Sequence, residues 1–306
     1  MSAASATAAS VTNLVTSGRS KDRNVGSLVF LGLLWFSLFF GVLVLVALIV
    51  DTAIKGAPRF DAELLTNYSS LFKPEETGFK AGIVGSIWLM ICTAILAVPL
   101  GISAALYLEE FADTNRWWNR LIEVNLQNLA AVPSIVYGLL ALAVMAVIGF
   151  DDEGVVLGGA IALALLILPV IIITTRESVR AVPQDIRQGS LALGATVWQT
   201  TWRQTLPSAI PGIATGTILG LSRAIGEAAP LIVVGFGVNV LFTPELGPEG
   251  LTSSGTSLPN QIYNLSSQSR EEFVTAASAA IIVLLVMILG MNALAIIIRN
   301  KFQRSW

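Results

Sequence analysis

Residues 176–211 read RESVRAVPQDIRQGSLALGATVWQTTWRQTLPSAIP, a polar interruption between two apolar segments that nevertheless keeps a helical rhythm. Ile186, Leu191, Leu193, Val197, Trp198 and Trp202 recur every three or four residues, and Gly189, Gly194 and Leu206-Pro207 punctuate them. The pattern predicts two short helices bent at a glycine. Four arginines (Arg176, Arg180, Arg187, Arg203) against two acids (Glu177, Asp185) assign the stretch to the cytoplasmic side of a membrane. There it offers an amphipathic face either to a soluble partner or to the lipid headgroups.

Composition fixes the setting. The 306 residues are 54% hydrophobic and 12% charged, against roughly 25% charged in an ordinary soluble domain, so the chain is an integral membrane protein. A net charge of −2 leaves no basic excess to displace counterions, which argues against a nucleic-acid partner. The single cysteine, Cys92, lies in an apolar run; it forms no intramolecular disulfide and reads as a small core residue. Histidine is absent, which removes serine–histidine chemistry and the HExxH zinc arrangement, so no catalytic residue and no metal ligand is nominated. None of the five lysines follows a glycine, and the phosphate-binding loop that ends in Gly-Lys is therefore missing. The expectation is no cofactor in this chain; any nucleotide is bound by another.

Outward from the polar stretch, apolar runs follow one another. Residues 1–24 read as a flexible tail with a basic hem at Arg19, Lys21 and Arg23, and an uncharged run then reaches Val50, too long for the apolar core of a secretory signal. Asp51 to Gly78 is polar and reads as an external loop. Further uncharged runs cover Ala81–Leu108, Val124–Phe150 and Gly154–Thr175 on one side, and Gly212–Gly237 (interrupted by Arg223 and Glu227) and Phe273–Ile298 on the other. Glu109-Glu110 opens a short connector with Trp117, Trp118 and two arginines, an interfacial anchor. Six spans result, each close to or above the ~20 residues a bilayer core requires. With the amino terminus inside, twelve lysines and arginines fall on the cytoplasmic side and five (Lys55, Arg59, Lys73, Lys80, Arg270) outside. Both termini are therefore expected in the cytoplasm.

Arg223 and Glu227 stand i, i+4 and would share one face of the fifth helix. A charge at a helix centre costs about 2.5–3.5 kcal/mol even on the lenient insertion scale, so both are expected to look into the protein or a watered path. Pro230 cannot donate to the Gly226 carbonyl, which leaves the backbone open beside Glu227. Two readings stand: a salt bridge that locks two helices, or an anion site in which Arg223 attracts the ligand while Glu227 holds the guanidinium in register.

Residues 188–207 resemble the signature of ABC importer permeases, with glycine at Gly194 and the closing pair at Leu206-Pro207. The Glu-Ala-Ala position reads Gln188-Gly189-Ser190, and the isoleucine position holds Gln204. YLEEFAD from Tyr107, VPSIVYGL from Val132, ALGATVWQT from Ala192, LPSAIPGI from Leu206, SRAIGEAAPLI from Ser222 and LPNQIYN from Leu258 resemble the phosphate-specific importer permeases, and the last, with FVTAASAAIIVLL from Phe273, favours their A-type subunit.

The resemblance implies an all-α, six-span, MetI-like permease core over 79–306, preceded by a first helix and external loop over 25–78. Cytoplasmic coupling helices lie between spans four and five. It implies ATP-driven import of inorganic phosphate by alternating access, in a bacterial inner membrane and within membrane lipid. The implied partners are a second, C-type phosphate permease, two ABC ATPase subunits that carry ATP and Mg, and an extracytoplasmic phosphate-binding protein. By the same resemblance Arg223, Gly226 and Glu227 line the phosphate path, and Gln188, Gly189, Ser190, Gly194, Leu206 and Pro207 couple to the ATPase. The alternatives are a sulfate or molybdate importer permease, a passive anion channel and, more distantly, an intramembrane enzyme.

Overall fold

The structure, a computed structural model, describes residues 25–70, 72–113, 116–150, 152–237, 240–245 and 247–302. The tail expected at 1–24, Asp151, and Arg304 and Trp306 at the other terminus lie outside the described residues. The described chain is helical; its β-structure is one isolated bridge, Val155 to Ser254. It divides between Asp51 and Thr52 into two units.

The first unit is the body of helix α1, Val25–Gly56, apolar on every side, and its residues up to Val50 are all exposed. A helix of that kind is shaped by lipid, not by a polar stripe facing water.

In the second unit the chain leaves α1 at Gly56, beyond the Val50 expected. The close packing of Gly56 on Ala279, 2.7 Å from where a Cβ would sit, leaves room only for glycine. The segment that follows is folded. Asp61 caps the short helix α2 (Ala62–Thr66), and Arg59 donates to the carbonyl of Thr77 at 2.6 Å. Leu64 and Phe79 are buried with Leu258, Leu265 and Phe273.

Helix α3 (Lys80–Leu106) continues through a π-helical turn, Tyr107–Phe111, so Glu109 and Glu110 extend the span instead of opening a connector. After α4 (Trp117–Leu129) the chain breaks and restarts as α5 (Ser134–Val147). Fourteen residues rise about 21 Å, less than the ~30 Å hydrocarbon core, so the third run does not make a full-length straight span. Pro133 sets this break, and the Tyr137 hydroxyl donates to the Leu129 carbonyl at 2.6 Å, satisfying a helix-end acceptor inside the bundle.

Helix α6 (Val156–Arg180) is the centre of the bundle, with α3 packed along it most extensively. Gly101 of α3 lies against Ile171, and Ala97, Leu163 and Ile167 fill the interface. Small residues bring the backbones together where lipid supplies no hydrophobic drive.

Four described helices are long and apolar enough to cross a membrane: α1 with its 3₁₀ extension, α3 with its π turn, α6, and α13 (Glu271–Phe302). The fifth run is divided. Helix α9 (Leu206–Ile225) stops and α10 (Ala229–Val233) begins after a three-residue gap, followed by α11 (Pro248–Thr252) and α12 (Leu258–Ser266). Segment α12, the LPNQIYN motif, is held in the bundle by Ser86 Oγ, which accepts from Leu258 N at 2.8 Å, and by Asn260, which donates to the Phe236 carbonyl at 2.8 Å.

Candidate functional site

The break between α9 and α10 holds the intramembrane charges. Arg223 is in the last turn of α9, Gly226 closes that helix, and Glu227 stands in the gap. The expected arrangement of both groups on one continuous helical face is corrected accordingly: the helix ends between them. Pro230 supplies the reason, because it lacks the N–H that would bind the Gly226 carbonyl and instead occupies the first turn of the next helix. The pair still forms across the gap, Arg223 Nε to Glu227 Oε1 at 3.6 Å. Gly138 of α5 holds the far side, since a Cβ there would come within 2.6 Å of the Pro230 carbonyl oxygen.

Depth can be measured from both ends of the bundle. Ala224, Ile225 and Leu231 line one small gap with Leu89 and Leu163. These two lie nine and seven residues along α3 and α6, or about 10–14 Å in from that end. At the other end Arg299 donates to Thr215 Oγ1 at 2.9 Å, and Arg223 is eight residues further along α9, about 12 Å deeper. Counted along the helices, the pair therefore lies about midway along the bundle, roughly 12 Å from either end.

At that depth the Arg223 side chain is 46% exposed and Glu227 24% in the isolated chain. A guanidinium so placed would face acyl chains only at a large penalty. Beside it Ser222 donates to the Ile218 carbonyl at 2.6 Å and meets Asn292 Oδ1 of α13. The sequence reading missed Asn292; an amide in an otherwise apolar span was its signal.

At the basic end of the bundle, α7 (Gln184–Ala192) ends in a glycine cap. Gly194 has φ +84°, its N–H donates to Leu191 O at 2.9 Å, and Ala195 N donates to Ser190 O at 3.2 Å. This double bond pattern needs a left-handed residue at Gly194, whereas Gly189 sits inside α7 and bends nothing. Thr196 and Gln199 then form a reciprocal capping box that starts α8 (Val197–Thr200).

The second short helix expected here does not end at Leu206-Pro207. It passes through a π-helical turn, Thr201–Thr205, straight into α9. Leu206 N donates to Thr201 O, five residues back, and the wider turn accommodates a proline at 207 that has no N–H to give.

Of the six residues expected to couple, Gln188, Gly189 and Gly194 lie together on one exposed turn, with Leu193 91% exposed beside them. Ser190 is turned inward to Thr200 Oγ1 at 2.9 Å. Leu206 packs with Val179, Val182 and Ala209, and Pro207 is in the first turn of α9, so neither joins that exposed turn.

A family model described as binding-protein-dependent transport system inner membrane component matches residues 97–304. The probable ABC transporter permease protein YqgI of Bacillus subtilis (strain 168) is 30% identical over 261 residues, 82% of this chain and 87% of that protein. The phosphate transport system permease protein PstA 1 of Mycobacterium tuberculosis (strain CDC 1551 / Oshkosh) is 35% identical over 224 residues, 72% of this chain and 70% of that one. PstA of Yersinia pestis is 29% identical over 265 residues, 87% of each chain. Among solved structures, a chain of a bacterial ABC transporter involved in the import of the acidic polysaccharide alginate aligns over 93% of this chain and 99% of its own, with a TM-score of 0.63 and 17% identity. An inward-facing MetNI methionine ABC transporter aligns over 74% and 95%, with a TM-score of 0.56 and 16% identity. These two likenesses concern the fold. The chain belongs to the binding-protein-dependent transport system inner membrane component family, as a multi-pass, non-catalytic ABC transporter permease with the PstA proteins among its kin.

Proposed function

We propose that this permease carries inorganic phosphate into the cytoplasm, with Arg223, Gly226 and Glu227 on the path. The observation that supports it most is a half-exposed guanidinium about midway along the bundle, held by a carboxylate across a helix break. Arg223 presents two parallel donors to an oxyanion. Glu227 keeps the empty site neutral and accepts from the hydroxyl of a protonated phosphate. Sulfate, fully ionised at neutral pH, has no hydrogen to give, and this favours phosphate over sulfate or molybdate.

In this reading the chain contributes six membrane passages, with the short α5 and the divided α9–α10 run completing the count, and both termini face the cytoplasm. A C-type permease covers the exposed Arg223 face, an extracytoplasmic phosphate-binding protein delivers the ion, and a dimer of ATPase subunits that holds ATP and Mg docks on the Gln188–Gly194 turn. Closure and reopening of the ATPases would then alternate access to the pair.

The test is uptake by cells or vesicles carrying the complex, before and after ATP depletion. Phosphate uptake that stops with ATP, from a complex that copurifies with an ATPase and a second permease, is the expected result. Flux that continues down a gradient without ATP would make the chain a passive channel instead, and uptake of sulfate with no preference for phosphate would reassign the substrate.

A further inference from the structure

Besides Leu206, residues outside the signature tie the coupling stretch to the bundle. Three acids lie where the π turn after α3 and the helix α4 meet the end of α6. Glu109 Oε1 and Oε2 accept from Arg180 at 2.9 and 3.0 Å and Glu109 Oε2 accepts from Arg176 at 3.3 Å. Glu123 Oε1 accepts from Arg176 at 3.1 Å. Glu110 Oε1 pairs with Arg187 of α7 at 3.1 Å, and Arg187 also donates to the Val179 carbonyl at 2.5 Å. Glu110 is only 9% exposed and its partner Arg187 21%, and Glu109 and Arg176 are 13% and 15%, so these two pairs are largely buried, whereas Arg180 (64%) and Glu123 (45%) lie on the solvated rim. Partly buried pairs of this kind have direction and register, and losing one member strands the other. The two π turns are joined as well: Phe111 of the first contacts Trp198, which stacks edge-on with Trp202 of the second.

We infer that Glu109 and Glu110 are positioning residues that make the π turn after α3 a strut, carrying displacement of α7 through Arg187 and Glu110 into the second span, which Glu109 ties to Arg176 and Arg180 of α6. The inference rests on the transport reading above and deepens it. Without the strut, the exposed turn at Gly194 would be held less firmly, because α7 itself meets the bundle through Arg187, paired with Glu110 and bonded to the Val179 carbonyl. The pull would otherwise pass through the Phe111–Trp198 contact and along the chain, through the π turn into α9.

The experiment reconstitutes the whole complex and measures phosphate moved per ATP hydrolysed. Glu110→Gln is expected to assemble and hydrolyse ATP at close to the wild-type basal rate while phosphate per ATP falls by about fivefold or more. The exchanged pair, Glu110→Arg with Arg187→Glu, is expected to restore part of that yield, because it re-forms the ion pair although a carboxylate at 187 cannot donate to the Val179 carbonyl. A Glu110→Gln complex with undiminished yield overturns the strut, and so does an exchanged pair that assembles with no better yield than the single variant. Should Glu110→Gln fail to assemble, the exchanged pair decides: assembly with at least part of the yield restored supports the strut, and any other result overturns it. A wild-type complex that moves no phosphate with ATP overturns instead the transport reading on which this rests.

Discussion

Arg223 is the residue on which most depends, because its charge is too deep to be incidental and too exposed to be a packing device of this chain alone. Arg223→Ala removes the two-pronged donor but leaves the α9 backbone intact, so the protein should insert and assemble while phosphate transport falls about tenfold or more, the range for losing a charged hydrogen bond. Transport near the wild-type rate in that variant would reduce the pair to a lock between segments. Arg223→Lys keeps the charge and loses the planar fork, so its rate should lie between the two. Glu227→Gln keeps the shape but can no longer reject an anion that lacks a hydrogen; competition of sulfate against phosphate should strengthen, and an unchanged preference would remove Glu227 from selectivity. The charges, their spacing and the proline were legible from the sequence. What was not legible is that Gly226 ends the helix between them, since a kinked helix and a broken one share the same residues.

The same limit appears in the elements. The glycine-capped turn was readable because Gly194 performs a task only a left-handed residue performs cheaply, and the structure gives it φ +84°. Gly194→Val should therefore strain the turn by about 1–2 kcal/mol. Nothing crowds its exposed side, so the fold should survive while ATP hydrolysis separates from uptake; measured stoichiometry equal to wild type would place the docking elsewhere. Gly138 differs, because its limit is space. Gly138→Leu drives a side chain into Pro230 and should cost about 1–3 kcal/mol, seen as loss of assembled complex on mild heating, whereas Gly41→Leu, with nothing within 4 Å, should be silent. The π turns escaped the sequence reading for a physical reason: the extra residue shifts the apolar spacing by a single position, and no residue type marks that shift. Glu109 and Glu110 of YLEEFAD were visible, but their partners lie 67 to 77 residues away and only the packing of α3 on α6 and α7 brings them together.

At the scale of the molecule, apolar runs and charge counts read correctly as an all-helical membrane protein, and the helix lengths show where such counting loses detail. The third run is two helices around Pro133 and the fifth is two helices around Gly226, so among the described residues length alone marks four spans. The lysine and arginine balance predicts that tags on both termini are digested or labelled only from the cytoplasmic side; a tag reached from outside would reverse the orientation. The claim that binds the three scales is that the break at Gly226 opens on water partway through the bilayer. The chain's only cysteine, Cys92, is buried, and a side chain placed at Gly226 meets nothing closer than Arg223 O at 3.9 Å. Gly226→Cys in a Cys92→Ala background, treated in the assembled complex with a membrane-impermeant thiol reagent, is the most direct measurement. The account predicts labelling that phosphate slows and whose sidedness changes when nucleotide is trapped on the ATPase; a cysteine that reacts from neither side in any nucleotide state would contradict it.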